Sequence, residues 1–246
     1  MKVIAPNKIK IRFYLGMVLV IIFSVLTVGS HIIDKLAVDT ASSDNFQNKT
    51  VIIDAGHGGI DGGTSASDGT VEKTLNLQIS VKINEILSSF GIKTVMTRTD
   101  DEDLSDDNAS TIRQKKVSDI KNRLSIINET EDAVFVSIHQ NHFTREKYSG
   151  AQVFYSKNDP LSQVLAEKIR FQLITVLQPD NTREIKQSGS EIYLLHHAKV
   201  PAVMVECGFL SNYNETQLLK NEEYQQKLAF TIAMGIIDFL NQTEVK

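Results

Sequence analysis

Val51-Ile52-Ile53-Asp54-Ala55-Gly56-His57-Gly58-Gly59 is a short apolar run that leads directly into a glycine-rich turn carrying a histidine. Two later apolar runs end in a similar way, since residues 133–138 lead to His139 and residues 202–205 lead to Glu206. Continuous β-branched runs of this length, separated by segments of helical spacing, are typical of parallel strands that are covered on both faces. The sequence therefore predicts a single α/β domain with a central, mostly parallel sheet flanked by helices on both faces.

The segments between these runs predict the helices and two further strands. Four segments carry apolar residues at helical spacing, from Leu75 to Phe90, Val117 to Ile127, Leu161 to Val176 and Leu228 to Phe239. Asp159 has the chemistry of an N-cap for the third segment, and Pro160 suits its first helical position. Residues 93–97 and 151–155 are predicted to be strands.

The first 33 residues have the pattern of a membrane-targeting segment. Four basic residues, at positions 2, 8, 10 and 12, precede a stretch from Phe13 to Ile33 that has no charged side chain. This stretch is long enough for an apolar helix that spans a bilayer, and Val28-Gly29-Ser30 is compatible with signal cleavage. Residues 1–33 are predicted to be a signal anchor or a signal peptide, with the uncleaved anchor favoured. A polar linker over residues 34–49 and a folded domain over residues 50–242 should follow.

The charge of the predicted domain disfavours one class of function. The whole chain has a formal charge of −4, and removing the four basic residues of the leader gives −8 for residues 34–246. Nucleic-acid-binding domains normally present a basic face, so this class is disfavoured. The single cysteine, Cys207, excludes an internal disulfide. Because neighbouring side chains on a strand point to opposite faces, Cys207 should pack in the core, away from Glu206.

His57, His139 and Glu206 all follow predicted strands at their carboxyl ends. In open α/β sheets this edge holds the ligand site, so the three residues should meet there although they are far apart in sequence. Catalytic zinc takes three protein ligands from His, Glu, Asp or Cys and keeps a fourth position for water. Two histidines at one sheet edge suit such a site, although a single histidine there is more often structural.

Glu72, at the start of the first helix, is the candidate carboxylate that would complete a His₂Glu zinc site. An acidic residue at a helix start is also common because it interacts favourably with the helix dipole. His142 is an alternative ligand to His139, but it lies three residues beyond the strand. The glycine-rich turn is also compatible with phosphate binding, but it lacks the lysine and the glycine spacing of known phosphate loops.

Glu206 is the candidate general base. A carboxylate at the end of an apolar strand is costly to bury unless it is paired or functional. Beside a zinc site it would take a proton from the attacking water and pass it to the leaving nitrogen. Asp54 is interpreted either as a hydrogen-bond partner of a ligating histidine or as a cap of the turn. His196 and His197 precede the last strand and are assigned no role.

The order of the motifs resembles that of one enzyme family. The motifs are Val51 to Gly63 (VIIDAGHGGIDGG), Glu72, Thr97-Arg98, Arg123 with Asn128, Val136 to His139 and Pro201 to Asn212 (PAVMVECGFLSN). Over about residues 50 to 240 they resemble the zinc-dependent N-acetylmuramoyl-L-alanine amidases of the amidase_3 family. This resemblance implies Zn²⁺ held by His57, Glu72 and His139, with Glu206 as the catalytic residue. The chain departs from many members at His142, where they have a small residue.

The resemblance also implies a substrate and a setting. The reaction would be hydrolysis of the amide between N-acetylmuramic acid and L-alanine in peptidoglycan. The leader, the lack of a separate wall-binding domain and the acidic segment 100–107 are most similar to germination-specific amidases of spore formers. Such enzymes act outside the cytoplasm, at the forespore membrane facing the cortex, where their activity leads to muramic-δ-lactam. Clostridial relatives are associated with a lipoprotein partner.

The residues leave two other functions open. A zinc peptidase that cuts within the stem peptide would use the same ligand set. A catalytically idle wall-binding protein is the other alternative, although such a protein gains little from a buried carboxylate at position 206.

Overall fold

The computed structural model describes residues 49–243, in which six strands form one sheet. The strands are Thr50–Ala55 (β1), Lys93–Met96 (β2), Ala133–Asn141 (β3), Gln152–Tyr155 (β4), Lys186–Gln187 (β5) and Ala202–Phe209 (β6). The predicted leader and almost all of the predicted linker lie outside these residues. Among the helices of residues 49–243, none has the length and apolar character needed to cross a membrane.

The strand order in the sheet is β2-β1-β3-β6-β4-β5. All neighbouring strands are parallel except β4 and β6, which are antiparallel. A parallel return needs a long crossover, usually a helix, whereas only residues 142–151 connect β3 to β4 and they contain no helix. The sheet is therefore mixed, with a parallel centre of β2, β1, β3 and β6. The antiparallel step places Gln152 directly opposite Glu206.

Helices cover both faces of the sheet, as the sequence predicts. They are Glu72–Ser89 (α1), Ile112–Glu129 (α2), Leu161–Gln172 (α3), Tyr193–His197 (α4), Tyr213–Lys220 (α5) and Glu222–Thr243 (α6). On one face α1, α3 and α6 share one core with alternate β3 side chains, among them Val134 and Val136. On the other face α2 and α4 pack against Ile52 and Phe135.

The helix starts follow local sequence signals. Thr111 and Gln114 form a capping box at the start of α2. At the start of α3, Asp159 Oδ1 accepts the Leu161 N–H at 2.8 Å, and Pro160 already has helical dihedral angles. Asp159 thus binds a backbone N–H of the helix start as predicted, whereas α3 begins one residue after Pro160, which occupies the N-cap position. The helical pattern that was predicted to reach Val176 ends in a π-helical stretch, Leu173–Leu177.

Candidate active site

The turn after β1 holds His57 in a left-handed backbone conformation, with a φ of 62°. A non-glycine residue persists in this conformation only where its surroundings hold it. Arg123 donates to the carbonyls of His57 and Ala55 at 2.8 and 3.0 Å. Arg98 also donates to Ala55 O, at 2.8 Å. Two buried arginines therefore fix the turn that presents the His57 ring.

Glu72 joins the two histidines into one group. Its side chain is buried, and its Oε1 lies 3.3 Å from His57 Nε2 and 3.0 Å from His139 Nδ1. One ligand atom from each of the three residues can be chosen so that all lie within 4.8 Å of one another. Two imidazoles and one carboxylate are a donor set of catalytic zinc. The structure therefore brings together the three residues that the sequence singled out as ligands, in an arrangement that fits a metal ion.

The ionisation of this group links metal binding to the release of protons. Burial opposes ionisation of Glu72, but hydrogen bonds from His139 and His57 hold the pKa of this carboxyl well below its usual range. Burial also opposes charge on His57, yet hydrogen bonds to Asp61 and Glu72 raise the pKa of this imidazole to about 9. A proton and a metal ion compete for the same nitrogen, so metal binding at this group must release protons.

Two glycines leave the space that the ligand side chains occupy. A Cβ atom at Gly56 would lie 2.1 Å from His139 Nε2, and a Cβ atom at Gly63 would lie 2.4 Å from Glu72 Oε2. Gly63 also has a φ of 70°, which disfavours any other residue. The glycines of this turn are thus needed for the close approach of the ligands as well as for the path of the chain.

Gly56→Ala is expected to reduce zinc binding by more than the roughly 10- to 100-fold that loss of an outer contact causes. The reason is that the new methyl group would overlap the His139 ring, which must then move away from Glu72. The measurement is zinc per protein after dialysis against a zinc buffer.

Gly189→Ala is the matched control for this variant. The nearest atoms around Gly189 belong to the end of the exposed Glu191 side chain, which can move aside. Gly189→Ala should therefore bind zinc as the unmodified protein does. Equal zinc content in Gly56→Ala and Gly189→Ala would show that the His139 ring does not bind the metal in the position that the structure gives it.

Glu206 lies beside the group, and one of its two carboxylate oxygens has no partner in the described part of the chain. It pairs in register with His139 across β3 and β6, so both side chains project from the same face of the sheet. Its Oε2 is buried and has no hydrogen-bond partner within residues 49–243. Burial raises the pKa of Glu206 to about 7, although His139 opposes this shift. A carboxylate with a pKa near neutrality and an unused oxygen is suited to proton transfer.

Cys207 packs in the core and is fully buried, which confirms that it faces away from Glu206. Burial raises the pKa of the thiol, so the nucleophilic thiolate is disfavoured. Cys207 is therefore a packing residue, as predicted.

Asp61, and not Asp54, is the carboxylate partner of His57. Asp61 Oδ2 lies 2.9 Å from His57 Nδ1. Asp54 forms no hydrogen bond with either histidine; it accepts hydrogen bonds from Arg123 Nη1 (2.5 Å), Thr97 Oγ1 (2.8 Å) and Ser137 Oγ (2.6 Å). The prediction that Asp54 pairs with a ligating histidine is wrong, because its strand position turns it into the interior beside Arg123. Asp54 supports the His57 turn only through that arginine.

The remaining histidines lie outside the candidate metal group. His142 is exposed, and the group contains His139 instead, in agreement with the predicted ranking. His196 and His197 form the last turn of α4, with ring centroids 4.8 Å apart. Asn128, one of the family motif residues, accepts the Lys199 N–H at 2.9 Å and so ties α2 to the chain that follows α4.

The acidic segment 100–107 is largely exposed, and it is also attached to the His57 turn. Asp101 Oδ1 accepts the Gly59 N–H at 3.1 Å, and Asp101 Oδ2 binds Lys73 Nζ at 2.7 Å. The sequence pattern did not predict this contact. No acidic residue of the segment joins a candidate metal group in the described part of the chain.

An α/β sheet whose carboxyl edge carries a His₂Glu group beside a free carboxylate has the architecture of a hydrolase, and comparison with known proteins defines the family. The Amidase_3 family model, described as N-acetylmuramoyl-L-alanine amidase, matches residues 51–238. The chain belongs to this family of enzymes, as its motif order predicts.

Individual relatives show which amidases of this family the chain is similar to. The germination-specific N-acetylmuramoyl-L-alanine amidase of Bacillus subtilis is 32% identical over 201 residues, covering 80% of this chain and 82% of the relative. The CwlD amidase from Clostridioides difficile, solved in complex with the GerS lipoprotein, is 45% identical with a TM-score of 0.76, covering 79% of this chain and 100% of that one. An N-acetylmuramoyl-L-alanine amidase from Clostridium difficile 630 is 32% identical with a TM-score of 0.68, covering 79% and 97%. The predicted similarity to germination-specific amidases is confirmed.

Proposed function

We propose that this protein is a zinc-dependent amidase that hydrolyses the bond between N-acetylmuramic acid and L-alanine during maturation of the spore cortex. The observation that carries the proposal is the convergence of His57, Glu72 and His139 next to Glu206, a carboxylate with an unpartnered buried oxygen. Family membership supplies the amidase activity on peptidoglycan.

The three ligands and Glu206 have separate tasks in this proposal. His57, Glu72 and His139 would hold Zn²⁺, which polarises a carbonyl and activates water when bound in such a site. Asp61 holds the His57 ring by its Nδ1 and so directs Nε2 toward Glu72. Glu206 takes a proton from the attacking water and delivers it to the nitrogen of L-alanine as the amide bond breaks. The products are a free muramic lactyl carboxylate and a stem peptide with a free amino terminus.

The biological setting is proposed from the relatives. The Bacillus subtilis relative is named as germination-specific, and the Clostridioides difficile relative was solved with a lipoprotein. We infer that this chain acts outside the cytoplasm, at the forespore membrane facing the cortex, and that a lipoprotein activates it. The uncharged stretch from Phe13 to Ile33 is proposed to attach it to that membrane. Stem-peptide removal would then prepare muramic acid for conversion to the δ-lactam.

The purified full chain is expected to bind one zinc ion and to release intact stem peptides from peptidoglycan. Metal analysis gives the stoichiometry, and mass spectrometry of the digests identifies the products. Peptides that begin with L-alanine, together with glycan that retains lactyl groups, are the expected pair. Cortex-type and vegetative peptidoglycan should be digested side by side, with faster release from the cortex-type material.

The two alternative functions, a zinc peptidase and a wall-binding protein, would give different results in this experiment. Peptides cut between stem residues would identify a zinc peptidase, and binding to sacculi without any product would identify a wall-binding protein. Release that becomes faster after a membrane extract is added would support the proposed activation by a lipoprotein.

A further inference from the structure

A cleft with two unpaired cations lies next to the candidate active site. It has a volume of about 240 Å³, and its lining includes four aromatic residues and two basic ones: Phe143, Tyr148, Phe154, Phe209, Arg183 and Lys186. Within residues 49–243, neither Arg183 nor Lys186 forms a salt bridge. Glu215 and Glu191 interact electrostatically with Arg183 and Lys186, respectively, but neither carboxylate lies within salt-bridge distance, so both cations are suited to binding an anionic group of a ligand.

Arg183 is held in place by its surroundings. Its guanidinium carbon lies 4.6 Å from the centroid of the Phe209 ring and 5.9 Å from that of Tyr148. Its Nε donates to Ser149 O at 2.8 Å, and its Nη1 donates to Gln152 Oε1 at 3.4 Å. Nη2 has no hydrogen-bond partner in the described structure. Such a guanidinium loses little side-chain entropy when it binds a carboxylate, because the rings and hydrogen bonds already position it.

The cleft and the candidate active site share one edge of the sheet. Asn141, which lines the cleft, follows His139 by two residues on β3. Gln152, another lining residue, lies directly opposite Glu206 in the β4 to β6 pairing. Lys186 lies on β5, paired with Phe154 of β4. Lys186 is thus displaced from Glu206 by about two strand spacings, or roughly 10 Å.

The opposite side of the candidate active site has a different charge pattern. There Lys116 binds Asp61 at 2.7 Å, and Lys73 binds Asp101 at 2.7 Å. Both lysines are therefore already paired with carboxylates. These two lysines are thus neutralised, whereas Arg183 and Lys186 form no salt bridge within residues 49–243.

We propose that the cleft of Arg183 and Lys186 binds the free carboxylates of the stem peptide and so fixes the direction in which the substrate lies. This inference rests on the proposed function. The glycan of N-acetylated sugars is uncharged, whereas the stem peptide carries carboxylates beyond L-alanine. An extended peptide advances about 3.3 to 3.6 Å per residue, so the distance of roughly 10 Å corresponds to the second or third stem residue.

The test compares two synthetic muramoyl tripeptides that differ only in whether the stem carboxylates are free or amidated. The double variant Arg183→Gln/Lys186→Gln, in the full chain, should raise KM for the free-acid substrate by about tenfold and leave its kcat within about twofold. KM for the amidated substrate should not change. The unmodified enzyme should favour the free-acid substrate, and the double variant should lose this preference.

Arg113→Gln/Lys121→Gln is the matched control, since it removes the same charges from residues of α2 that line a different surface. It should retain the preference for the free acid. An equal change of KM for both substrates, or a preference that survives in the Arg183/Lys186 variant, would overturn the inference.

A binding measurement separates this inference from the proposed function. Calorimetry with the Glu206→Gln full chain should show tighter binding of the free-acid tripeptide, and the added Arg183/Lys186 changes should abolish the difference. This difference requires no turnover. If the unmodified protein cleaves neither tripeptide but binds them with this preference, the proposed function fails while the carboxylate site stands. Equal binding of the two tripeptides would overturn the site.

Discussion

Glu206→Gln is expected to lower kcat by roughly 10²- to 10⁴-fold while zinc content stays at the level of the unmodified protein. The amide has the size of the carboxylate but cannot accept the proton of the attacking water. Because Glu206 Oε2 has no hydrogen-bond partner among residues 49–243, the substitution removes no bond of that oxygen. The measurements are the rate of L-alanyl peptide release, zinc per protein and thermal unfolding of the same preparation.

Two further variants sharpen this test. Glu206→Asp keeps a carboxylate but moves it back, so it should retain more activity than the glutamine variant. Glu167→Gln changes an exposed glutamate on α3 and should leave kcat unchanged. A Glu206→Gln protein with more than about a tenth of the original kcat would contradict the proposed role of Glu206.

His57→Ala and His139→Ala are each expected to lose stoichiometric zinc and, with it, detectable activity. Each variant removes one of the three protein ligands that a catalytic zinc site needs. Asp61→Asn should give a graded result, with zinc affinity weakened by roughly 10- to 100-fold, because it alters only the partner of His57 Nδ1. Competition with a chelator of known affinity measures all three.

His142→Ala is the matched control for the two histidine variants. This residue is exposed and lies three positions from His139, so its loss should leave zinc affinity unchanged. Full zinc occupancy in His57→Ala or His139→Ala would mean that the metal binds at other residues. A loss of zinc affinity in His142→Ala would mean that His142, and not His139, is the ligand.

The central strands and the positions of the candidate ligands could be predicted because their signals are local. Val51 to Ile53 and Ala133 to Ile138 are continuous apolar runs that have few alternatives to a buried strand, and parallel pairing brings their carboxyl ends to one edge. His57, His139 and Glu206 follow directly from that geometry. Glu72 is harder to predict, because a glutamate at the start of a helix is common. It becomes a candidate ligand only because two histidines need a carboxylate to complete a His₂Glu zinc site.

Other parts of the site depend on packing that only the folded chain defines. The partner of His57 is Asp61 because the turn after β1 folds back, whereas strand alternation sends Asp54 toward Arg123. The need for glycine at position 56 comes from the His139 ring, which is more than eighty residues away in sequence. The short elements β5, α4 and α5 span two, five and eight residues, too few for a periodic pattern to identify.

The separation of the ligands along the chain has a consequence for how the protein folds. Glu72 and His139 are 67 positions apart, and Arg123 reaches the His57 carbonyl across 66 positions. The binding group therefore exists only after β1 and β3 have paired, a non-local step that is slow in parallel sheets. The proposed zinc ion would therefore not guide early folding; it would bind to the finished sheet and stabilise it by mass action, by about 2.7 kcal/mol when free zinc is about 100 times Kd. The midpoint of thermal unfolding should accordingly report the free zinc concentration around the enzyme.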